Sequence, residues 1–218
     1  MTMQAYHVQR KIRRTYQFRY WLYQPPGYGN QTDQTYPLVL FLHGRGERGS
    51  DLDLLKKHGL PRLIAKGKDF PFLMAAPQCP DTSFWSGEID SLNELLRDLT
   101  STLPIDPLRI YVTGLSMGGY GTFHLACAYP QWFAAAVPIC GGGDPKQAHR
   151  MKDIPTWVFH GGLDEVVPLS ESERMVKALK GAGGDVRFTI YMQANHDSWS
   201  AAYNEPKLYE WMLAQHIG

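Results

Sequence analysis

Short, continuous runs of apolar residues recur at wide intervals along the chain. We predict six of them to be strands buried on both faces, because a strand with one exposed face would alternate apolar and polar residues. These runs are residues 38–42, 72–76, 110–113, 135–139, 156–159 and 186–191. Two earlier segments, 6–13 and 16–24, are separated by very few residues and are predicted to form an antiparallel hairpin.

Helical patterns fill the intervals between these runs. Residues 89–103 carry a stripe of leucines that ends before Pro104, and residues 206–216 are predicted to form a last helix. Residues 170–173 match a capping box that would open a helix through Leu179. Alternating strands and helices with right-handed crossovers predict an α/β fold, a doubly wound and mostly parallel sheet of eight strands. Without a linker or an internal repeat, residues 1–218 are expected to form one domain.

Residues 114–118 read Gly-Leu-Ser-Met-Gly and stand between a predicted strand and a predicted helix. A G-x-S-x-G sequence in that setting is typical of a nucleophile elbow, a tight turn that lifts the serine hydroxyl clear of the sheet. Glycines are needed on both sides because the strand and helix backbones nearly touch there. The start of the helix also favours the negative charge that develops during acyl transfer. Ser116 is therefore the predicted nucleophile.

A serine hydroxyl needs a base to activate it, and the base needs an acid to orient it. Asp164 stands in a Gly-x-Asp turn after one predicted strand, and His196 stands just beyond the last strand. Because the loops that follow parallel strands meet at one edge of the sheet, Ser116, Asp164 and His196 are predicted to form a catalytic triad. Glu165 and Asp144 are the alternatives for the acid.

Other histidines compete with His196 for the role of the base. His43 and His160 lie in His-Gly turns, but neither follows the last strand, so we interpret both as structural residues. The remaining histidines are interpreted as surface or helix residues: His7, His58, His124, His149 and His216.

Four stretches of the sequence together resemble the α/β-hydrolases, in particular the small esterases of the dienelactone-hydrolase, feruloyl-esterase and prolyl-oligopeptidase-like groups. They are LHGRGERG at 42–49, GLSMG at 114–118, HGGLD at 160–164 with Pro168, and NHDSW at 195–199. The resemblance implies an oxyanion hole made of two backbone N–H groups, those of Met117 and Arg45. The Arg45 side chain would point either to solvent or to an acidic group of a substrate. Dienelactone hydrolases proper carry a cysteine nucleophile, so Ser116 favours the ordinary carboxylesterases.

Three aromatic residues are candidates for the substrate pocket. Phe84 and Trp85 follow the predicted strand 72–76, and Trp199 lies three residues after His196. All three are predicted to contact substrate, with a packing role as an equal alternative. Residues 139–155 are too few to build the helical lid of a lipase, so we expect a small pocket closed by Phe84 and Trp85, and short acyl chains.

Composition and charge exclude several classes of protein. With 44% hydrophobic residues the chain can bury a full core, and a formal net charge of +1 offers no overall attraction for nucleic acid. A basic cluster at residues 10–14 is interpreted as a solvated strand face, with a binding patch as the less favoured alternative. The apolar runs are too short to span a membrane.

Cysteines and the first residues bear on the cellular location. Cys79, Cys127 and Cys140 are too scattered for a disulfide framework or a zinc site, and no glycine-rich loop matches a nucleotide-binding motif. We therefore expect no metal and no cofactor. The first residues lack the apolar segment of a signal peptide, so a cytoplasmic location is expected, although a trimmed secreted chain would look the same.

These features predict a serine carboxylesterase that hydrolyses small, short-acyl esters. A peptidase and a polyester depolymerase are alternatives, because either would use the same triad. A non-catalytic binding protein on the same scaffold is a third possibility that the presence of all three triad residues disfavours. The oligomeric state is left open.

Overall fold

The chain folds into one mixed sheet with helices on both faces. The computed structural model describes residues 15–30 and 33–218. Its strands are β1 (Tyr20–Tyr23), β2 (Tyr36–Leu42), β3 (Leu73–Pro77), β4 (Ile105–Leu115), β5 (Ala135–Ile139), β6 (Thr156–Gly161) and β7 (Val186–Tyr191). Its helices are α1 (Gly59–Ala65), α2 (Ile89–Thr102), α3 (Met117–Ala128), α4 (Leu169–Gly181), α5 (Trp199–Asn204) and α6 (Pro206–Leu213). Short 3₁₀ turns connect several of these elements.

The strands lie in the order β1-β3-β2-β4-β5-β6-β7, and every neighbouring pair is parallel except β1 with β3. Five of the six predicted apolar runs lie within strands, and the run 72–76 begins one residue before β3, so the mostly parallel sheet is confirmed. The sheet has seven strands among the described residues, where the sequence predicted eight. The eighth predicted strand, residues 6–13, and the basic cluster at residues 10–14 lie outside the described residues, so the predicted hairpin stays a prediction.

The predicted capping box at residues 170–173 is wrong. Helix α4 begins at Leu169, with Pro168 in an extended conformation before it, and no side chain caps its first turn. Ser170 lies inside this turn, and Ser172 is fully buried, where its hydroxyl bonds the carbonyl oxygen of Gly141 at 2.8 Å. The hydroxyl of Ser172 therefore joins α4 to the loop after β5 and does not cap the start of the helix.

Each face of the sheet has its own apolar layer because side chains alternate along a strand. Leu38, Leu40 and Leu42 of β2 lie in the layer that includes buried residues of α2, α3 and α4. Val39 and Phe41 lie in the opposite layer, with residues of α1, α5 and α6. No helix in the described part of the chain is both long and apolar enough to cross a membrane. This frame brings the carboxyl ends of the parallel strands, and the loops that follow them, to one edge.

Candidate active site

The turn between β4 and α3 holds Ser116 in a strained conformation. Its φ is 54° and its ψ is −116°, a combination that costs a residue with a side chain about 1–3 kcal/mol. Glycines permit the turn: a Cβ on Gly118 would lie 1.9 Å from the carbonyl oxygen of Leu42, and one on Gly114 would lie 2.4 Å from that of Gly118. The N–H of Ser116 donates to the carbonyl oxygen of Ile139 at 2.9 Å. The geometry is that of a nucleophile elbow.

A continuous line of hydrogen bonds joins Ser116, His196 and Asp164. Nε2 of His196 lies 2.9 Å from Oγ of Ser116, and its Nδ1 lies 2.7 Å from Oδ2 of Asp164. Because a carboxylate can only accept, Nδ1 carries the proton and the lone pair of Nε2 faces the serine hydroxyl. The Asp164 carboxylate is fully buried, whereas the His196 side chain keeps 20% of its surface exposed. The arrangement is able to take a proton from Ser116.

Backbone donors fix the carboxylate of Asp164. Its Oδ1 accepts the N–H groups of Val166 and Val167, both at 2.9 Å. The other two candidate acids lie elsewhere. Asp144 accepts the N–H of Lys146 at the start of a 3₁₀ turn, and neither Asp144 nor Glu165 bonds His196 within the described chain. We call residues 162–168, between β6 and α4, the Asp loop. It offers the imidazole a single, rigidly held oxygen.

His43 has both ring nitrogens committed to the backbone. Its Nδ1 donates to the carbonyl oxygen of Gly44 at 2.6 Å, and its Nε2 accepts the N–H of Cys79 at 2.9 Å. Burial lowers the pKa of His43 to about 4, so the imidazole is neutral at neutral pH. This histidine ties the loop after β2 to the loop after β3.

His160 lies behind the acid rather than in front of the nucleophile. It is fully buried, and its Nε2 donates to the carbonyl oxygen of Val167 at 2.9 Å and lies 3.3 Å from Oδ2 of Asp164. Its Nδ1 lies 2.7 Å from Oγ of Ser172. These contacts pin the Asp loop against helix α4.

The two backbone groups predicted as the oxyanion hole lie at the starts of two helical turns. Met117 is the first residue of α3, and Arg45 is the first residue of the 3₁₀ turn Arg45–Glu47. An N–H at that position has no carbonyl earlier in its own helix to accept it. The two turns are packed closely, because a Cβ on Gly44 would lie 2.9 Å from Cδ1 of Leu115. The loop after β2 therefore passes close to the elbow, and the oxyanion hole stays a prediction.

A cleft of about 330 Å³ opens beside Ser116. Its walls include Arg45, Phe84, Trp85, Tyr120, His124 and Val166. Phe84 is half-exposed, with the guanidinium carbon of Arg48 4.6 Å from its ring centre. Trp85 is almost fully buried and donates its indole N–H to the carbonyl oxygen of His43 at 2.9 Å. Both predicted aromatics line the cleft, and Trp85 is in addition a core residue.

Of the two roles predicted for Trp199, substrate contact and packing, its place in the fold favours packing. It is not part of the cleft lining, and its ring stands edge-on to the imidazole of His196, with ring centres 5.1 Å apart at an angle of 90°. The ring of His58 packs against it from another side, at 5.5 Å. Trp199 therefore supports the imidazole of His196, and its position does not favour contact with a substrate.

Among residues 15–30 and 33–218, the fold brings together one cluster of potential metal ligands that the sequence spacing did not indicate. The ligand atoms of Cys140, Asp164 and His196 lie within 4.8 Å of one another. Burial raises the pKa of the Cys140 thiol to about 12, which keeps it protonated. Since Asp164 and His196 are already bonded to each other, the chemistry of the cluster favours a triad over a metal centre.

Sequence reasoning missed Tyr120 and His124 as parts of the site. Both line the cleft, and they follow Ser116 by four and eight residues, which is the spacing of successive turns on one face of α3. His124 was interpreted as a surface or helix residue. Burial lowers its pKa, against a smaller opposing effect of Asp144. Helical spacing counted from the nucleophile is the signal that would have found both.

The fold and the elbow define the chain as an α/β-hydrolase. The phospholipase/carboxylesterase family matches residues 80–206, which is more than half of the 218 residues. The chain therefore belongs to the phospholipase/carboxylesterase family. The matched range includes Ser116, Asp164 and His196.

The chain is similar to a thermostable esterase of known crystal structure, with 38% identity and a TM-score of 0.79 over 91% of this chain and 59% of that one. It is 42% identical over 62 residues to poly(3-hydroxyalkanoate) depolymerase C of Paucimonas lemoignei, covering 28% of this chain and 15% of that protein. It is 29% identical over 133 residues to the poly(3-hydroxyoctanoate) depolymerase of Pseudomonas fluorescens, covering 49% of this chain and 47% of that protein. The matched region spans less than half the length of both depolymerases.

Proposed function

We propose that the protein is a serine carboxylesterase that hydrolyses small, short-acyl carboxylic esters through an acyl-enzyme. The observation that carries this proposal is the unbroken line from Asp164 through His196 to Ser116, which ends at an open cleft. Membership of the phospholipase/carboxylesterase family supports the same reaction class.

The proposed reaction begins when His196 removes the proton of Ser116 as its oxygen attacks the ester carbonyl. Asp164 holds the imidazole in the required tautomer and stabilises the imidazolium. The N–H groups of Met117 and Arg45 bind the oxyanion, and His196 then protonates the departing alcohol. Water then attacks the acyl-enzyme, while His196 takes a proton from the water and returns it to Oγ of Ser116 as the carboxylic acid leaves. No step requires a cofactor.

The size of the site supports a preference for short acyl chains. The cleft beside Ser116 holds about 330 Å³. The segment between β5 and β6, where a lipase would carry a helical lid, contains only the 3₁₀ helix Pro145–Met151 among its described elements. Phe84 and Trp85 limit the cleft on the side of the loop after β3. Acyl groups from acetyl to about hexanoyl are therefore the proposed substrates.

The first test combines active-site labelling with a panel of soluble esters. A fluorophosphonate should attach once, at Ser116, and the Ser116→Ala variant should not be labelled. Ester hydrolysis by the wild-type protein should fall from butyrate to laurate, with no activation above the solubility limit of the substrate. Labelling that survives the Ser116→Ala change would contradict the proposal, and so would faster turnover of laurate than of butyrate.

A polyester depolymerase is the second candidate, favoured by the apolar rim of the cleft. This apolar rim consists of Phe84 and Val166 in the cleft wall, together with Leu163 and Met192 in the loops beside it, and the exposed fractions of the four run from 48% to 69%. All four belong to loops at the edge of the sheet that holds Ser116. Exposed apolar groups concentrated in one place mark a contact surface. Two of the similar proteins are named as poly(3-hydroxyalkanoate) and poly(3-hydroxyoctanoate) depolymerases.

Polymer films separate the two candidates. A depolymerase should release soluble hydroxy acids from a poly(3-hydroxyalkanoate) film at a rate that falls when Leu163 and Met192, which do not line the cleft, are changed to serine. A soluble-ester hydrolase should leave the film intact, and the same double change should alter butyrate hydrolysis little. A peptidase would instead cleave peptide anilides, which we expect this protein to leave intact.

The remaining expectations on organisation stay proposals. We propose a cytoplasmic location, supported by three cysteines that are free and buried. A single domain over residues 1–218 is proposed from the continuous alternation of strands and helices. The proposed partner is a small-molecule ester, and neither nucleic acid nor a membrane is expected to bind.

A further inference from the structure

A second cavity, separate from the cleft beside Ser116, lies further along helix α3. It holds about 220 Å³. Its wall combines apolar side chains of several elements with a polar end. The apolar part includes Ile89, Phe123, Cys127, Ala128 and Met175, and the polar end is formed by Asp144, Gln147 and Arg150. We call it the distal cavity.

His124 is the residue that the linings of the cleft and the distal cavity share. It lies two turns after Ser116 on α3, which is about 12 Å along the helix axis at a rise of 1.5 Å per residue. Tyr120 lines the cleft one turn before it, and Ala128 lines the distal cavity one turn after it. The cleft and the distal cavity therefore follow each other along one helix, with the imidazole at their boundary.

The imidazole of His124 is not locked in place by hydrogen bonds. It is half-buried, and neither ring nitrogen bonds another residue in the described part of the chain. Removal of the ring therefore leaves no orphaned donor or acceptor behind, and alanine suits the middle of a helix. A small residue at this position should keep the fold and change the shape of the cavities.

We propose that His124 sets the acyl-chain length of the site by separating the cleft from the distal cavity. This rests on the proposed esterase function. An acyl group that leaves Ser116 along α3 meets the imidazole at the end of the cleft, which stops chains longer than about hexanoyl. Without the imidazole the two spaces join, and the apolar wall beyond Phe123 accepts the far end of a medium-length chain such as decanoyl.

The test compares kcat/KM for p-nitrophenyl butyrate and decanoate in three variants. His124→Ala should raise the decanoate-to-butyrate ratio by at least tenfold over wild type. His124→Phe removes the same polar group but keeps a ring, so its ratio should stay within threefold of wild type. In the double variant His124→Ala/Ala128→Leu the new leucine fills the distal cavity, and the ratio should return towards the wild-type value.

Two outcomes would overturn the proposal: an unchanged ratio in His124→Ala, or a gain that persists when leucine replaces Ala128. Titration calorimetry of free decanoate binding to the same variants gives a readout that does not depend on turnover. Decanoate should bind His124→Ala more tightly than either wild type or His124→Phe. If no variant hydrolyses any ester while decanoate follows this pattern, the esterase function fails and the role of His124 stands.

Discussion

His43 and His196 follow strands at the same edge of the sheet, and their hydrogen bonds differ in kind. Both ring nitrogens of His43 form hydrogen bonds with backbone groups, those of Gly44 and Cys79. His196 gives one nitrogen to the carboxylate of Asp164 and turns the other towards Oγ of Ser116. A position at this edge of the sheet is therefore not enough to make a histidine a base. The histidine must also have a nitrogen lone pair that faces a reactive hydroxyl.

The surroundings of the two histidines reinforce the difference. Burial of His43 lowers its pKa to about 4, so this ring resists the proton that a base must accept. His196 has a buried carboxylate behind it, which stabilises the ring once it is charged. One histidine holds two loops together, and the other is built to exchange a proton. Each of the following predictions tests this division.

The largest effect is expected for His196→Ala. Loss of the proposed base should lower kcat for p-nitrophenyl butyrate by about 10⁵-fold or more, by analogy with serine hydrolases in which triad members act as a unit. The unfolding free energy should change little, because this side chain is partly exposed. Activity is measured by steady-state kinetics, and stability by urea denaturation of the same preparation.

His43→Ala is the matched control for this prediction. It should lower stability more than His196→Ala does, because it leaves the buried Cys79 N–H without the ring nitrogen that accepts it. If His196→Ala kept most of the activity while His43→Ala removed it from a folded protein, the two roles would have to be exchanged.

A slightly smaller effect is expected for Asp164→Asn. An amide can donate to Nδ1, which stabilises the tautomer with its proton on Nε2 and so removes the lone pair facing Ser116. The expected loss in kcat is about 10⁴-fold with little change in KM. Asp144→Asn is a control that keeps the same chemistry away from His196, and it should leave kcat nearly unchanged. A nearly wild-type Asp164→Asn enzyme would assign the acid to another carboxylate.

The third prediction concerns His43 and the dependence of stability on pH. Its pKa is about 4 in the folded state and 6.5 in its ordinary state, so between these values the unfolded chain binds a proton that the folded chain does not. The stabilisation is fully present above pH 6.5 and is lost as the pH falls towards 4. This group should contribute a loss of about 3 kcal/mol over that range.

His43→Gln tests this contribution, since glutamine keeps a donor and an acceptor but cannot be charged. Its unfolding free energy, taken from urea titrations between pH 7 and pH 4, should fall less steeply than that of the wild type. His149→Gln serves as a control, because His149 is exposed. Parallel curves for wild type and His43→Gln would show that His43 does not resist protonation in the folded state.

Much of the fold and of the candidate site could be predicted from the sequence because local pattern and tertiary structure agree there. Residues 38–42 are apolar throughout, and β2 is buried on both faces. The elbow is also a local feature, since the glycines at 114 and 118 are required by backbone contacts within a few ångströms. Patterns that extend over a few residues, and that a close contact explains, were predictable.

Features that depend on distant contacts could not be read from the sequence. The capping-box pattern at 170–173 failed because α4 begins earlier, at Leu169, so Ser170 lies inside the first turn instead of capping it. Trp199 lies close to His196 in sequence, which suggested a pocket wall, yet its ring packs behind the imidazole. The role of His124 needs the shapes of two cavities, which no local pattern records.

The smallest effect is expected for Trp199→Phe. The indole N–H of Trp199 is buried without a hydrogen-bond partner among the described residues, so phenylalanine removes a polar group that stabilises nothing and keeps a ring edge towards His196. Because the hydrogen bond to Asp164 already orients the imidazole, kcat should fall by less than about tenfold, or about 1.4 kcal/mol, the upper range of an aromatic pair. KM for butyrate should not change, since Trp199 does not line the cleft.

Trp199→Ala removes the support altogether and should lower kcat further, again without a change in KM. A rise in KM with kcat unchanged in Trp199→Phe would mean that the ring contacts the substrate, the other of the two roles that the sequence allowed.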